Sequence, residues 1–405
     1  MYTHCIKSKE QIYNLNFLEI KFIYNNSLSY KNDSNILLNP YQLEILNIAK
    51  NQIDKYRFNK QWEYIKKIIN PYELVYINDK KNTYKSIANI EPISRSFFKL
   101  LEIIYNFIPQ IIISNKNDDI DELKQYTPIK TLHLCESPGG FIACMRYLRN
   151  NHPDDQLYAI SIRSSNKNIP NWNKSYNFIL KNPQIHILYG ADNTGNIYNP
   201  QNIIHLTTEL KQNYSCDIIT GDGGFDFSDE FNNQELNISK LIYAQILSAL
   251  INQKVGGTFI IKVFDLNYLI TYNLIYILQC YYDEIHLYKP CISRIANSEK
   301  YLICIGYKPI PYLSWCNLLS ILFVWNNNNK NNIIALFNEN VLASINIKKL
   351  NIKIVDDQKN HIDTTIEMIK NHPSIETKNS NYKLQINNAL DWCRKYNIPI
   401  NNNYC

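Results

Sequence analysis

The stretch from residue 132 to residue 141 constrains the fold of this chain more than any other part. A short apolar run leads into Pro138, Gly139 and Gly140, and a helical pattern begins directly after them. This order is typical of a strand, a tight turn and a helix in an α/β protein. Glycines let a backbone approach a ligand closely, and a helix start presents N–H groups and the positive end of its dipole. The turn is therefore a candidate cofactor site, although similar turns occur in many α/β proteins without a ligand.

Four charged residues stand in otherwise apolar surroundings. Asp222, Lys262 and Glu299 each accompany an apolar run with the character of a buried strand, at 216–225, 257–264 and 298–304. Charged side chains are almost never buried without partners, so these three pair with one another if the strands are neighbours. Lys99 lies on the segment 93–107, whose apolar residues repeat at helical spacing. Taken alone, Lys99 has the character of an ordinary solvated helix lysine. Only the three other charged residues suggest that it belongs to the same site.

With this Lys–Asp–Lys–Glu order, residues from about 90 to 310 resemble the FtsJ-like (Rossmann-fold) RNA ribose 2′-O-methyltransferases. The phrases ISRSFFK, SPGGF, DGGF, IKVFDL and SRIANSEKY are most similar to the mRNA cap-specific branch of that family. The resemblance implies an α/β fold with a mostly parallel sheet and one antiparallel strand. It also implies S-adenosyl-L-methionine as cofactor and RNA, the 5′ end of capped mRNA, as substrate.

The same resemblance assigns residues to the cofactor. Asn196 stands where the family often has Asp, and Glu136 and Ser137 replace the smaller residues usual before Pro-Gly-Gly. An amide can still hydrogen-bond a cofactor amine or hydroxyl, but it lacks the charge. The implied cofactor contacts are Cys135, Glu136, Ser137, Pro138, Gly139, Gly140, Phe141, Asn196, Ile197 and Asp222.

The chemistry explains why such a tetrad is needed. A ribose 2′-hydroxyl becomes a good nucleophile when its proton is drawn off, and the acceptor must be unprotonated. Burial and the ammonium of Lys99 disfavour the charged form of Lys262, whereas Asp222 and Glu299 favour it. Our hypothesis is that Lys262 is the general base, that Asp222 orients it and the transferring methyl, and that Lys99 and Glu299 tune and position the pair. In-line methyl transfer of this kind requires no metal.

Contacts to RNA are harder to assign from sequence. The resemblance implies roles for Ser94, which replaces an Asn common in the cap-specific branch, for Asn233 and Glu235 in the loop after Asp222, and for Asn297. That loop is polar enough to bind RNA and equally ordinary as a loop. Two arginines, Arg95 and Arg294, are candidates either for binding phosphate or for structural ion pairs.

The pattern along the chain predicts three regions: an accessory region (1–90), a methyltransferase domain (91–310) and a C-terminal appendage (311–405). The first holds a long helix over 41–69 and a short strand over 73–77. The second holds strands near 130–135, 157–162, 185–189, 216–221, 257–264, 284–288 and 301–307. The last two strands are too close in sequence for a helical crossover, so they pair antiparallel. Polar loops are expected at 114–125 and 326–332, and a final helix at 383–396.

Composition adds little to the choice of function. The 42 basic against 36 acidic residues are compatible with a polyanionic partner, but many proteins that bind no nucleic acid share this mild excess. Thirty-one tyrosines could stack on bases or a cap guanine, although most will fill the core or the surface. The ten cysteines show no paired CxxC spacing, so we predict neither zinc nor disulfides.

The leading hypothesis is a methyltransferase that forms cap 1 on mRNA. Alternatives are the same chemistry on rRNA or tRNA, and a cap-binding or RNA-binding scaffold without turnover, against which the complete tetrad argues. A dinucleotide-dependent oxidoreductase is disfavoured because the turn lacks the full GxGxxG spacing. We expect a soluble intracellular protein without a membrane span, in the cytoplasm or a viral factory or virion rather than the nucleus. A large DNA virus is a compatible source, and other capping or transcription enzymes are candidate partners.

Overall fold

A mixed eight-stranded sheet lies at the centre of the computed structural model. The structure describes residues 2–7, 21–24, 40–57, 60–77, 85–113, 126–166, 169–210, 215–224, 234–327, 331–336 and 348–404. The strands of the described residues are β1 (Tyr2–Lys7), β2 (Lys21–Tyr24), β3 (Lys130–Leu134), β4 (Gln156–Ile160), β5 (Ile185–Leu188), β6 (Cys216–Gly221), β7 (Gln253–Val263), β8 (Tyr282–Lys289), β9 (Lys300–Tyr307) and β10 (Asn331–Ala335). Strands β2 and β10 pair antiparallel in a separate two-stranded sheet, and the other eight form the central sheet.

Helices cover both faces of this sheet. They are α1 (Pro40–Arg57), α2 (Gln61–Ile68), α3 (Ser96–Phe107), α4 (Gly140–Leu148), α5 (Tyr176–Leu180), α6 (Pro200–Glu209), α7 (Gln234–Asn252), α8 (Leu269–Tyr281), α9 (Tyr312–Asn327), α10 (Lys348–Asn371) and α11 (Ile375–Lys395). None of the helices in the described ranges is both long enough and apolar enough to cross a bilayer.

The strand order in the sheet is β1-β8-β9-β7-β6-β3-β4-β5. Strands β3 to β7 run parallel, and β9 pairs antiparallel with both β7 and β8. The predicted mostly parallel sheet with one reversed strand is therefore confirmed for the seven strands β3 to β9. Strand β1, which the sequence did not predict, pairs antiparallel with β8 and adds a second reversed strand at the edge.

The two faces of the sheet lie under different sets of helices because side chains alternate along a strand. On β7, Phe259 and Ile261 join the core formed with α6, α7, α8 and α9. Ile260, between them, joins the opposite core, which contains buried residues of α3, α4 and α11. The same alternation applies to β9, where Tyr301 and Ile303 lie on the α3 side. Lys262, two residues after Ile260, is thereby directed to the α3 side.

Three details of the flanking regions differ from the predictions. The helix predicted over 41–69 is two helices, separated at Lys60, whose backbone is left-handed (φ 62°). The segment Glu73–Val75 is a 3-10 turn and not a strand, so that prediction was wrong. The final helix begins earlier than predicted, at Ile375, because the side chain of Ser374 accepts a hydrogen bond from the Thr377 N–H and caps it. The predicted loop at 114–125 lies outside the described residues, as does part of 326–332.

Candidate active site

The four residues of the predicted tetrad meet at one end of the sheet. Lys99 faces the sheet from α3, and Asp222 directly follows β6. Lys262 lies near the end of β7, and Glu299 directly precedes β9. Since β7 and β9 are antiparallel neighbours, the end of one lies beside the start of the other, and this pairing brings Lys262 next to the Glu299 segment.

Two short ion pairs link the tetrad. The Lys262 Nζ lies 3.0 Å from Asp222 Oδ1 and donates to the Asp222 carbonyl oxygen at 2.8 Å. The Lys99 Nζ lies 2.6 Å from Glu299 Oε1. All four side chains are between 12% and 19% exposed, so they border a cleft without being sealed from it. The structure thus unites the four charges that sequence reasoning selected.

Tyr301 joins the two ion pairs and was missed by sequence reasoning. Its hydroxyl lies 3.0 Å from Glu299 Oε1 and 3.2 Å from Asp222 Oδ1, placed to donate to either carboxylate. Tyr301 is directly opposite Lys262 in the strand register. The available signal was its spacing, because residues i and i+2 on a strand share a face and Tyr301 follows Glu299 by two.

The electrostatic balance at Lys262 differs from the simplest expectation for a base. Burial acts to lower the pKa of Lys262, but Asp222 and Glu299 outweigh it, and the pKa is raised above its ordinary value. Burial also acts to raise the pKa of Glu299, yet Lys99 and Lys262 outweigh it and bring that pKa down to about 2. Lys262 is therefore protonated and Glu299 ionised at neutral pH.

The glycine turn at 135–140 lies beside the tetrad, because the Asp222 N–H donates to the carbonyl oxygen of Leu134, directly before the turn, at 3.3 Å. Burial raises the pKa of the Cys135 thiol to about 12. Gly139 caps α4 with a left-handed backbone (φ 109°), which a side chain would strain. The predicted Ser137, Pro138, Gly139 and Gly140 all lie in this turn, which stands at the carboxyl end of β3.

Two of the predicted cofactor contacts need correction. The Glu136 carboxylate is buried and accepts hydrogen bonds from the N–H groups of Phe141 (2.7 Å) and Ile142 (3.1 Å). Those N–H groups at the helix start are consequently occupied within the protein and are not directed at a ligand. Phe141 itself is fully buried and packs near Tyr301, with 6.2 Å between the ring centroids. A cofactor could reach Glu136 only through backbone atoms, and Phe141 offers it no free surface.

The residues around this crevice nevertheless fit a cofactor that carries a sulfonium. The crevice lies at the carboxyl ends of the parallel strands β3 and β6, where ligands of such sheets bind. Asp222 places a partly exposed carboxylate there, which suits a cationic group. At Gly224 a Cβ atom would approach the Lys262 Nζ to 3.2 Å, so the missing side chain leaves space at the amine.

The second predicted cofactor segment, Asn196 and Ile197, has no hydrogen bond to the tetrad among those described. Asn196 is half-buried and its Oδ1 accepts from the N–H of Tyr198 at 3.0 Å. Ile197 is 3% exposed and belongs to the core on the other side of the sheet. Gly195, with a left-handed backbone, brings this segment against the carbonyl of Ser161 after β4. The roles of Asn196 and Ile197 toward a cofactor stay predictions.

Among the predicted RNA contacts, Glu235 is wrong. It is 3% exposed, and its carboxylate accepts from the N–H groups of Asn267 and Tyr268 (2.9 Å each) and from the Thr271 hydroxyl (2.5 Å). Burial raises its pKa to about 7. Glu235 thus caps the start of α8 and presents nothing to RNA. Asn233 lies outside the described residues, and Asn297 is exposed.

The remaining RNA candidates border a cavity of about 670 Å³. Arg294 forms a two-point ion pair with Glu73, at 2.6 and 3.0 Å. Arg95 lies 3.6 Å from the Glu73 carboxylate and donates to the carbonyl oxygens of Tyr72, Tyr76 and Ile292, so it forms the structural ion pair left open for it. Ser94 also lines this cavity. Its other walls are formed by Tyr64, Lys67, Ile68, Glu73, Leu74, Tyr76, Ile77, Lys174, Lys378, Tyr382 and Gln385.

This sheet order, with ionisable residues at the carboxyl ends of its parallel strands, defines a Rossmann-like methyltransferase. The family model for FtsJ-like methyltransferases matches residues 92–307, more than half of the sequence. The chain belongs to the FtsJ-like methyltransferase family.

Curated relatives share this region. A mouse protein named cap-specific mRNA (nucleoside-2′-O-)-methyltransferase 2 is 32% identical over 230 residues, which cover 55% of this chain and 29% of the relative. A second mouse protein, named cap-specific mRNA (nucleoside-2′-O-)-methyltransferase 1, is 27% identical over 252 residues, which cover 60% of this chain and 29% of the relative. The chain therefore spans about three tenths of the length of these relatives.

Among solved structures, a protein described as a ribosomal RNA methyltransferase from Plasmodium falciparum aligns with a TM-score of 0.36 at 20% identity. The alignment covers 53% of this chain and 97% of that one.

Proposed function

We propose that the protein is an S-adenosylmethionine-dependent RNA ribose 2′-O-methyltransferase that acts on the first transcribed nucleotide of capped mRNA. The observation that carries this proposal is the tetrad, in which Lys262–Asp222 and Lys99–Glu299 are joined through Tyr301 beside the glycine turn. Similarity to relatives named as cap-specific methyltransferases supports the choice of capped mRNA over other RNA.

The chain's own residues supply positioning and proton transfer. When bound, the cofactor supplies an electrophilic methyl group on a sulfonium. Asp222, at the carboxyl end of β6, is the carboxylate placed to face that positive charge, and the turn at 135–140 with residues 196–197 would hold the rest of the molecule. Because positioning in a water-poor site accounts for much of such a rate, the rigid strand ends that carry Asp222 and Lys262 are well suited to it.

Lys262 is the group placed to accept the 2′-hydroxyl proton. Since its pKa is raised, its ammonium group must first lose a proton to solvent in the cleft, and this loss becomes easier as the pH rises. Until then the ammonium can hold the 2′-oxygen by hydrogen bonding. Lys99 holds Glu299 at 2.6 Å and thereby fixes the second carboxylate that acts on Lys262.

The cavity beside Ser94 supports a capped RNA end as substrate. It brings three lysines that can face phosphate, Lys67, Lys174 and Lys378, together with tyrosines, which can stack on a base. Ser94 and Arg95 line the cavity and directly precede α3, the helix that carries Lys99, and Ser94 lies against Gly140 of the glycine turn. Its volume suits a ligand of nucleotide size.

The test is transfer of a labelled methyl group to short RNAs that differ only in the cap. We expect transfer to capped RNA at a 2′-oxygen of the first nucleotide, identified by nuclease digestion and mass spectrometry. Lys262→Ala should reduce the rate by at least about a hundredfold. Lys254→Ala is the matched control, because Lys254 lies on the same strand and forms an exposed ion pair with Asp217.

The other outcomes select the alternatives. Transfer only to uncapped rRNA or tRNA would reject the cap assignment. Binding of a cap analogue without transfer would favour a scaffold. Equal rates for Lys262→Ala and Lys254→Ala would reject the role of Lys262.

A further inference from the structure

Glu102 is a fully buried carboxylate on the helix that carries Lys99. It is 0% exposed, and four uncharged groups donate to it. The donors are the Tyr288 hydroxyl (2.5 Å), the Cys291 N–H (2.7 Å), the Ile292 N–H (3.3 Å) and the Trp392 indole N–H (3.0 Å). A buried carboxylate is stable only when hydrogen bonds of this number compensate for lost hydration.

These four donors come from two separate segments of the chain, residues 288–292 and α11. Tyr288 is near the end of β8, Cys291 and Ile292 are in the loop between β8 and β9, and Trp392 belongs to α11. The same loop continues through Arg294 and Asn297 to Glu299. Glu102 therefore holds the beginning of the segment whose end carries a member of the tetrad.

Two residues of the α3 region, Glu102 and Arg95, hold this loop. Residues three apart on a helix are neighbours on one face, so Lys99 and Glu102 have a fixed spacing. Arg95, one turn before Lys99, donates to the Ile292 carbonyl oxygen at 3.2 Å. At its far end the loop is held by Lys289, which donates to the carbonyl oxygens of Asn297 (2.6 Å) and Glu299 (2.9 Å).

We propose that Glu102 is a positioning residue of the active site, which sets where Glu299 stands relative to Lys99 and Lys262 and makes α11 part of the catalytic unit through Trp392. This inference rests on the proposed function, because its readout is methyl transfer. It adds a residue outside the tetrad and assigns a role to the C-terminal region. The carboxylate acts through the loop and does not touch the reacting atoms.

The test compares Glu102→Gln with Glu367→Gln, an exposed glutamate on α10. A glutamine amide has one acceptor oxygen and brings two N–H donors to a place where four donors converge. We expect kcat to fall by at least about tenfold for Glu102→Gln, with the KM for the cofactor little changed. We expect no change for Glu367→Gln.

The pH profile separates positioning from simple loss of stability. Asp222, Glu299, Cys135 and Tyr301 surround Lys262, and Glu299 is among the groups that raise its pKa. If Glu299 is displaced, the pKa of Lys262 falls, so the rise of kcat with pH should move to lower pH by about half a unit. A folded variant that is merely less stable would keep the wild-type profile.

Trp392→Phe is the second variant, because it removes one donor and keeps an aromatic ring against Phe98. Trp392→Phe should move the pH profile of kcat in the same direction, but by a smaller amount. If Glu102→Gln does not fold, the Trp392→Phe profile tests the positioning role. Wild-type profiles in the folded variants would overturn the inference. An inactive wild-type protein would instead reject the proposed function.

Discussion

At the scale of single residues, the tetrad was predictable because three of its charges, Asp222, Lys262 and Glu299, accompany apolar strand-like runs, and Lys99 was added by the order of the four residues. Lys262 and Glu299 accompany buried strands, where charged residues are found almost only as members of a pair. Tyr301 gave no such signal, since tyrosine is an ordinary strand residue. Only the register of β7 against β9 places its hydroxyl between Asp222 and Glu299. The protonation of Lys262 was also beyond the sequence, because it depends on distances.

Tyr301→Phe should weaken catalysis more than it weakens the fold. Loss of the hydroxyl leaves both carboxylates without their shared donor, and we expect about a tenfold fall in kcat with about 1 to 2 kcal/mol lost from the free energy of unfolding. Tyr307→Phe, on the same strand, is the control: its hydroxyl donates to the Leu250 carbonyl oxygen, away from the tetrad. Equal kcat values in the two variants would contradict the role of Tyr301.

The raised pKa of Lys262 predicts the direction of the pH dependence. The neutral amine is the minor form below the pKa, and its fraction grows about tenfold for each pH unit. We therefore expect kcat to increase with pH from about 6.5 to 9, as measured by initial rates at saturating substrates. A rate that falls over this range would be incompatible with Lys262 as the base.

At the scale of elements, strands were predicted well where the apolar pattern was long, as for β6 and β9. The caps of two helices were not predicted, because each cap is a buried carboxylate. Glu136 caps α4 from a position close in sequence, but Glu235 caps α8 from 32 residues away. No local pattern contains that second pairing. The sequence therefore placed Glu235 on a surface where it does not lie.

Glu235→Ala tests this correction. Removing the carboxylate leaves the N–H groups of Asn267 and Tyr268 and the Thr271 hydroxyl without their acceptor. We expect at least about 2 kcal/mol to be lost from the free energy of unfolding, measured by urea denaturation. The affinity of the folded variant for RNA should be unchanged. A stable variant with weakened RNA binding would restore the original assignment.

At the scale of the whole molecule, the direction of strands β3 to β9, mostly parallel with one reversed, followed from the short link between the last two strands. The attachment of the flanking regions did not. Lys50 of α1 forms a buried ion pair with Asp265 (2.6 Å), three residues after Lys262, and Asn351 of α10 donates to the Leu266 carbonyl oxygen. These contacts join residues 215 and 85 positions apart, which no pattern along the chain records.

Lys50→Met should destabilise the whole protein, because it leaves the Asp265 carboxylate buried without its partner. We expect a loss of about 3 kcal/mol in the free energy of unfolding. Lys55→Met, on an exposed position of the same helix, should change it by less than about 0.5 kcal/mol. A difference below 1 kcal/mol between the two in urea denaturation would show that the ion pair contributes little.

The pairing of β7 with β9 also limits which insertions and deletions the chain can tolerate. Side chains on a strand alternate between faces, so one codon inserted between Glu299 and Tyr301 would turn one of them away from the amine opposite. Exposed turns away from this pairing have no such parity to keep. Variation in length should therefore accumulate in turns, while the number of residues in these two strands stays fixed wherever the enzyme remains active.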